Sequence, residues 1–136
     1  MIDSENIYIS DKNHLKKYFE DGCKPKENWG IGAEYENFIF SKDTFKPVNY
    51  SGSSSILTLF ENMIDRFGWV PIRENNLIIG LRKGESNISL EPGGQFELSG
   101  AINKSVHDVE KEMNSFIREM KILTNEFNLG LISLGA

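Results

Sequence analysis

An α+β fold, an antiparallel sheet with packed helices, is predicted by three features of the sequence. Several short segments alternate apolar and polar residues and are joined by turn signals, the pattern of an antiparallel meander. Two longer segments repeat their apolar residues at helical spacing. At 136 residues the chain is long enough for one modest domain with a core, spanning 1–136, and too short for two.

The elements follow in order. Ser10 caps a short helix through "DKNHLKKYFED", which places Leu15, Tyr18 and Phe19 on one face and stops at Gly22. "NWGIGAEYENFIFS" reads as a long strand. Ile31, Ala33, Tyr35, Asn37 and Ile39 point one way, and Gly32, Glu34, Glu36, Phe38 and Phe40 point the other. After a polar loop around "KPVNYSGSS", the segment "SSILTLFENMIDRFG" carries Ile56, Leu57, Leu59, Phe60, Met63, Ile64 and Phe67 at helical spacing, between serines and Gly68. "WVPIREN" and "NLIIGLRKG" are short strands joined by an Asn-Asn turn, and "KGES" turns into "NISLEP". Ser105, with Asp108 three residues later, approximates a capping box for a long helix to about Asn128. Its core face holds Val106, Val109, Met113, Phe116, Ile117, Met120, Leu123 and Phe127. "LGLISLGA" begins another strand, and an apolar strand with no turn or polar tail after it predicts a sheet cut at its edge, as in a fragment.

Composition excludes several classes of function. The net charge of -5 comes from acidic residues spread along the chain, with no Lys or Arg run to follow a phosphate backbone, so nucleic acid is not an expected partner. Apolar runs such as "NLIIGL" are too short to span a bilayer, and the polar start "MIDSENIYISDKNH" lacks the regions of a signal peptide. A cytoplasmic location is expected. Cys23 is the only cysteine, so there is no intrachain disulfide. Neither His14 nor His107 can be placed beside it as a base, and Cys23 reads as a small structural hydrophobe.

The chemistry sits in the carboxylates. Glu34 and Glu36 are two apart on a strand and project from the same face a few ångströms from each other. Such a pair repels itself, and a divalent cation that accepts oxygen from both relieves the repulsion. The alternative for this short motif is a solvated strand face that carries two glutamates by chance, with or without lysine partners. In "NISLEPGGQFELSG", Ile88, Leu90, Phe96 and Leu98 alternate with polar residues on both sides of Pro92-Gly93-Gly94. Proline removes a ladder donor and glycine permits unusual backbone angles, which predicts a bulge or tight bend. The bend presents Glu91, Gln95 and Glu97 towards one cleft, and Gly93 and Gly94 give a ligand access to backbone amides. A plain bulge with exposed polar residues is the alternative. If both strands share a sheet, four carboxylates and an amide converge, and Mg²⁺ suits them because it takes oxygen ligands and enters with substrate phosphates. The absence of histidine and cysteine from the cluster disfavours zinc.

"GIGAEYENFIF" and "ISLEPGGQFELSGA" closely resemble two signature stretches of the plant and proteobacterial type of glutamate-cysteine ligase. The likeness extends across "NLIIGLRKGESNISLEP", the following helix and "NLGLISLGA". The resemblance implies ATP-dependent joining of the γ-carboxylate of L-glutamate to the amine of L-cysteine through a γ-glutamyl phosphate, the first step of glutathione synthesis. It also implies a glutamine-synthetase-like fold, in which an antiparallel sheet forms a funnel holding Mg²⁺, ATP and the amino acids. By position, Glu34 and Glu36 match the acidic pair associated with metal binding, and Glu97 matches the metal-binding glutamate of "FELS". Glu91 and Gln95 match the same motif, as contacts to metal, nucleotide or substrate. Arg82, in "GLRKG", is a candidate for carboxylate or phosphate recognition, with a structural ion pair as its alternative. Phosphoryl transfer between anionic reactants depends on positioning and metal neutralisation, so no nucleophile from the protein is required.

Members of that family are considerably longer, and much of their ATP site and cysteine pocket has no counterpart here. The resemblance therefore implies the N-terminal portion of a longer ligase catalytic domain, or half of a split enzyme completed by a second chain. Two further readings stay open. One is a related carboxylate-amine ligase with another acceptor amine, and the other is a non-catalytic Mg²⁺-nucleotide-binding fragment or subunit.

Overall fold

A computed structural model describes residues 9–134. In chain order the elements are α1 (Lys12–Asp21), β1 (Glu34–Ser41), α2 (Ile56–Phe67), β2 (Val70–Glu74), β3 (Leu77–Lys83), β4 (Ser86–Glu91), β5 (Gln95–Ser99), α3 (Val106–Glu126) and β6 (Leu129–Ser133). The six strands form one antiparallel sheet in the order β2-β3-β4-β5-β1-β6, and α2 and α3 pack on one of its faces. The expected α+β class is present, and the meander expected through β2, β3 and β4 is present and continues into β5.

Burial follows the two periodicities. On the sheet, Ile39, Leu81, Ile88, Phe96, Leu98 and Leu129 are buried. They meet Leu59, Phe60 and Met63 of α2 and Phe116, Met120 and Leu123 of α3, all buried as well. A column of rings joins the layers. Phe60 and Phe96 lie 5.4 Å apart by centroid, and Phe96 and Phe116 lie 6.4 Å apart and nearly parallel, separations at which aromatic pairs add to the burial of their area. Fixing Phe96 and Leu98 inward obliges Gln95, Glu97 and Ser99 to face outward.

The ends of the elements are set by short-range chemistry. Ser55 caps α2 by accepting from the Thr58 amide, and Gly68 ends it at φ 74°. Ser105 accepts from the Asp108 amide and donates its hydroxyl proton to Asp108 Oδ2 at 2.7 Å. That hydrogen bond, with Lys111 beside it, holds the Asp108 carboxyl below its ordinary pKa. Asn75 and Asn76 both adopt positive φ, 46° and 67°, and close the β2–β3 hairpin in two residues as the right-handed twist of the strands favours.

Several expectations are corrected. Asp11, not Ser10, caps α1, since its carboxylate accepts from the His14 amide at 2.9 Å while Ser10 lies one residue outside. A carboxylate there also complements the helix dipole. Leu15, Tyr18 and Phe19 do share a face, but all three are exposed. β1 begins at Glu34 and not near Asn28, because Gly30 and Gly32 flank Ile31, which reaches the sheet region only through an isolated bridge to Asn103. Val106 is 63% exposed and does not belong to the core face of α3. The first turns of that helix are instead held by Glu112, which accepts from Ser86 Oγ (2.6 Å), the Ala101 amide (2.8 Å) and Asn103 Nδ2 (3.2 Å). β6 is the strand expected in "LGLISLGA"; Gly135 and Ala136 lie outside the described residues.

Candidate functional site: an acidic face on the open side of the sheet

The break at Pro92-Gly93-Gly94 is a hairpin turn and not a bulge within a strand. Glu91 ends β4, Gln95 begins β5, and the two stand opposite each other. Gly93 and Gly94 take φ of 82° and 81°, a region in which a β-carbon is strained. Of the bend and the bulge expected from sequence, the tight bend is therefore the one present.

The turn and the register together build the face. Asn37 and Ile39 of β1 are buried on the helix side, so Glu34, Glu36, Phe38 and Phe40 project from the open side. Pairing with β5 sets Glu36 directly opposite Glu97, and pairing with β4 sets Glu97 opposite Ser89. A neighbouring row runs Phe38, Gln95, Glu91. The row on the other side runs Glu34, Ser99, Asn87, Arg82. Directly opposed residues in an antiparallel pair hold their β-carbons about 5 Å apart, which makes Glu36 and Glu97 immediate neighbours. The face thus gathers Glu34, Glu36, Glu91, Glu97 and Gln95 on three adjacent strands. Arg82 shares it but stands three strands from Glu34, about 14 Å away by strand spacing.

Neutral donors orient these carboxylates. Ser99 Oγ donates to Glu97 Oε1 at 3.0 Å, Ser89 Oγ to Glu91 Oε1 at 2.8 Å, and Gln95 Nε2 to Glu36 Oε2 at 3.4 Å. Among the described residues Glu34, Glu91 and Glu97 form no ion pair with lysine or arginine, and neither does Arg82 with an acid. No three acidic, histidine or cysteine side chains are drawn into a closed metal cage among the described residues; the acids stand in rows.

Beside Glu34 and Glu36 lies a depression of about 340 Å³ that Tyr35 and Ser133 complete. Among the described residues β6 pairs with β1 from Asn37 to Ser41, so the depression lies beyond the end of that pairing. Behind the depression, the buried Asn37 amide donates to the Tyr35 and Phe96 carbonyls (2.9 and 3.3 Å) and accepts from Ser133 Oγ (2.8 Å). One side chain thereby ties β1 to both neighbours at the level of the acidic row. Burial, with the Glu112 carboxylate nearby as a smaller cause, pushes the Tyr35 phenol above its ordinary pKa. Ser89, Ser99, Ser133 and Glu112 escaped the sequence reading. Strand alternation alone would have placed Ser89 and Ser99 on the acidic face, whereas Glu112 and Ser133 act through pairings that only the fold creates.

A sheet covered by helices on one side and set with carboxylates, hydroxyls and an amide on the other defines an α+β domain with an acidic face suited to a hard cation. Residues 30–136 match the model of glutamate-cysteine ligase family 2 (GCS2). The chain is 44% identical over 124 residues to glutamate-cysteine ligase B, chloroplastic, of Oryza sativa subsp. japonica, which covers 91% of this chain and 24% of that protein. It is 40% identical to glutamate-cysteine ligase, chloroplastic, of Brassica juncea and 39% identical to that of Arabidopsis thaliana, over the same share of this chain and 24% and 23% of theirs. The chain belongs to glutamate-cysteine ligase family 2. It spans about a quarter of the length of the curated relatives it matches. No helix among the described residues is long and apolar enough to cross a membrane.

Proposed function

We propose that this chain is the N-terminal part of a glutamate-cysteine ligase catalytic domain, and that its acidic face is one wall of a glutamine-synthetase-like funnel. Residues 1–136 form one domain of it. The observation that carries this reading is the register that sets Glu36 opposite Glu97 and Gln95 opposite Glu91 on one open face, in a chain with 39–44% identity to proteins named as such ligases.

In the proposed reaction a γ-carboxylate oxygen of glutamate attacks the γ-phosphorus of ATP, and ADP departs. The amine of cysteine then attacks the acyl carbon of the γ-glutamyl phosphate, inorganic phosphate departs, and the amine proton passes to solvent. Glu34, Glu36, Glu91 and Glu97 would hold Mg²⁺, and the donor set fits. This ion usually takes one or two carboxylates and fills the rest of its shell with water and phosphate, so rows of acids serve it where a closed cage is absent. When bound it neutralises the phosphate charge. Gln95 orients Glu36 and faces the same space, Gly93 and Gly94 leave the turn open to a ligand, and Arg82 stands further out as a recognition group for an anionic end of a substrate. A cytoplasmic setting is part of the same proposal, the relatives above being named chloroplastic.

A second reading rests on the same acidic face. Rows of carboxylates beside Gln95 also suit a Mg²⁺-nucleotide-binding part, completed by a second chain or by further sequence, and an acceptor pocket of another ligase would be supplied in the same way. ADP release by the purified chain with ATP, Mg²⁺, glutamate and cysteine separates these. Turnover that needs both amino acids and is lost in Glu36→Gln supports the ligase. Binding of Mg-ATP without turnover supports the binding part, equal use of another amine replaces cysteine, and neither binding nor turnover overturns the proposal.

A further inference from the structure

The helix side of the sheet holds a cavity of its own. Ser115, Phe116 and Glu119 lie three, four and seven residues beyond Glu112, which puts all four on one face of α3. Between that face, Trp69, Leu98 of β5 and the β3–β4 hairpin lies a space of about 250 Å³. Trp69, Leu98 and Phe116 are buried and give it an apolar floor. The two carboxylates on its wall are served differently. Glu119 is balanced, since Lys83 Nζ donates to its Oε1 and Trp69 Nε1 to its Oε2, both at 2.7 Å. Glu112 has neutral donors alone, Ser86 and Ala101 on Oε1 and Asn103 on Oε2, and among the described residues no lysine or arginine pairs with it. The cavity wall therefore carries two anions and one cation.

We propose that this cavity binds a small organic ammonium, with its N–H donors on Glu112 and the Ser86 and Ser115 hydroxyls and its compact apolar body on Leu98, Phe116 and Trp69. The site lies across the sheet from the acidic face and does not depend on the function proposed above. Charge supports it: a carboxylate offers about four acceptor positions, three on Glu112 are taken by neutral groups, and a cation would supply both the missing donor and the missing charge. The Ser86 hydroxyl, having donated to Glu112, still has lone pairs with which to accept. Size supports it as well. An apolar cavity of about 150 Å³ holds a benzene ring, so the larger space here admits such a ring with a short aminoalkyl arm. Because Glu112 is held from three directions before any ligand arrives, little side-chain freedom is lost on binding. An apolar floor with a few convergent polar groups is also the usual make-up of a small-molecule site.

The test uses Trp69 as its reporter. The chain has two tryptophans, so Trp29→Phe at the exposed position leaves the fluorescence to Trp69 alone. That protein is titrated at neutral pH with phenethylamine and with phenethyl alcohol, which has nearly the same shape and no charge. The proposal expects the amine to bind about tenfold more tightly than the alcohol, in keeping with one charge-assisted hydrogen bond, and Glu112→Gln to level the two. Since Glu112 also holds the fold together, Ser115→Leu is measured beside it. The position is exposed and leucine favours a helix, so the urea midpoint should hold while the new side chain fills the cavity and both ligands are lost. Equal affinity for amine and alcohol in the parent would overturn the proposal, as would a preference for the amine that survives Glu112→Gln or binding that survives Ser115→Leu. No response of Trp69 to either ligand at millimolar concentration would give the cavity to water and overturn it as well.

Discussion

Glu112 joins three pieces of chain that are distant in sequence. Its carboxylate accepts from a β4 hydroxyl, from the Ala101 amide after β5 and from the Asn103 side chain, and it sits so close to Gly100 that a β-carbon there would collide with it. A clamp of this kind is most visible when removed, because the donors it served are left in a half-buried place without an acceptor. Glu112→Ala should destabilise the chain by about 2 kcal/mol, the usual penalty of stranding such groups. Glu112→Gln should lose less, since its remaining oxygen can still accept from Ser86 and Ala101 while its amide nitrogen faces the amide of Asn103. Urea unfolding of the two variants checks the order, and an alanine variant as stable as the parent would dismiss the clamp.

At the level of the element, the β4–β5 hairpin decides what the acidic face contains. Its three-residue turn fixes Glu91 opposite Gln95, and a one-residue change of register would send Glu97 into the core and Phe96 into water. The turn depends on two consecutive glycines at φ near +80°, where an L side chain meets its own backbone. Gly93→Ala and Gly94→Ala should each cost about 1–2 kcal/mol, measured as a fall in the urea midpoint, and the neighbouring space is open at both positions, so backbone strain alone would account for the loss. The sequence announced a break here, because proline and glycine punctuate a strand for reasons that act within a few residues, but left a bulge and a tight bend open, and the hairpin pairing of β4 with β5 came only with the fold. The signals of α2 and α3, serine caps and apolar stripes, are local as well. β1 is shorter than its alternation predicts, since the alternation continues through "NWGIGA" although no partner strand among the described residues holds it. The cap of α1 was misplaced by one residue because Ser10 and Asp11 are both good caps and only the backbone chooses. The acids of the site were legible as a set, but their rows were not, for a row is a property of register between strands about 60 residues apart.

For the whole molecule the two sides of the sheet work against each other. The helix side supplies stability through a continuous core from Phe60 through Phe96 to Phe116, while the open side places Glu36 directly opposite Glu97, and like charges so opposed destabilise a sheet. A structure that only had to fold would place a neutral residue at one of these positions, which is why a costly local choice reads as the mark of a site. Glu97→Gln keeps the shape and an oxygen for Ser99 while deleting the charge. Without ligand it should therefore raise stability by up to about 1 kcal/mol. In the presence of Mg-ATP the order should reverse, because whatever binds the folded state alone stabilises it by mass action and the variant has lost a carboxylate from the proposed site. Thermal unfolding of parent and variant, each with and without Mg-ATP, gives the four midpoints required. A variant less stable than the parent in both conditions would mean that Glu97 serves the fold, and one more stable in both would mean that no ion is held there.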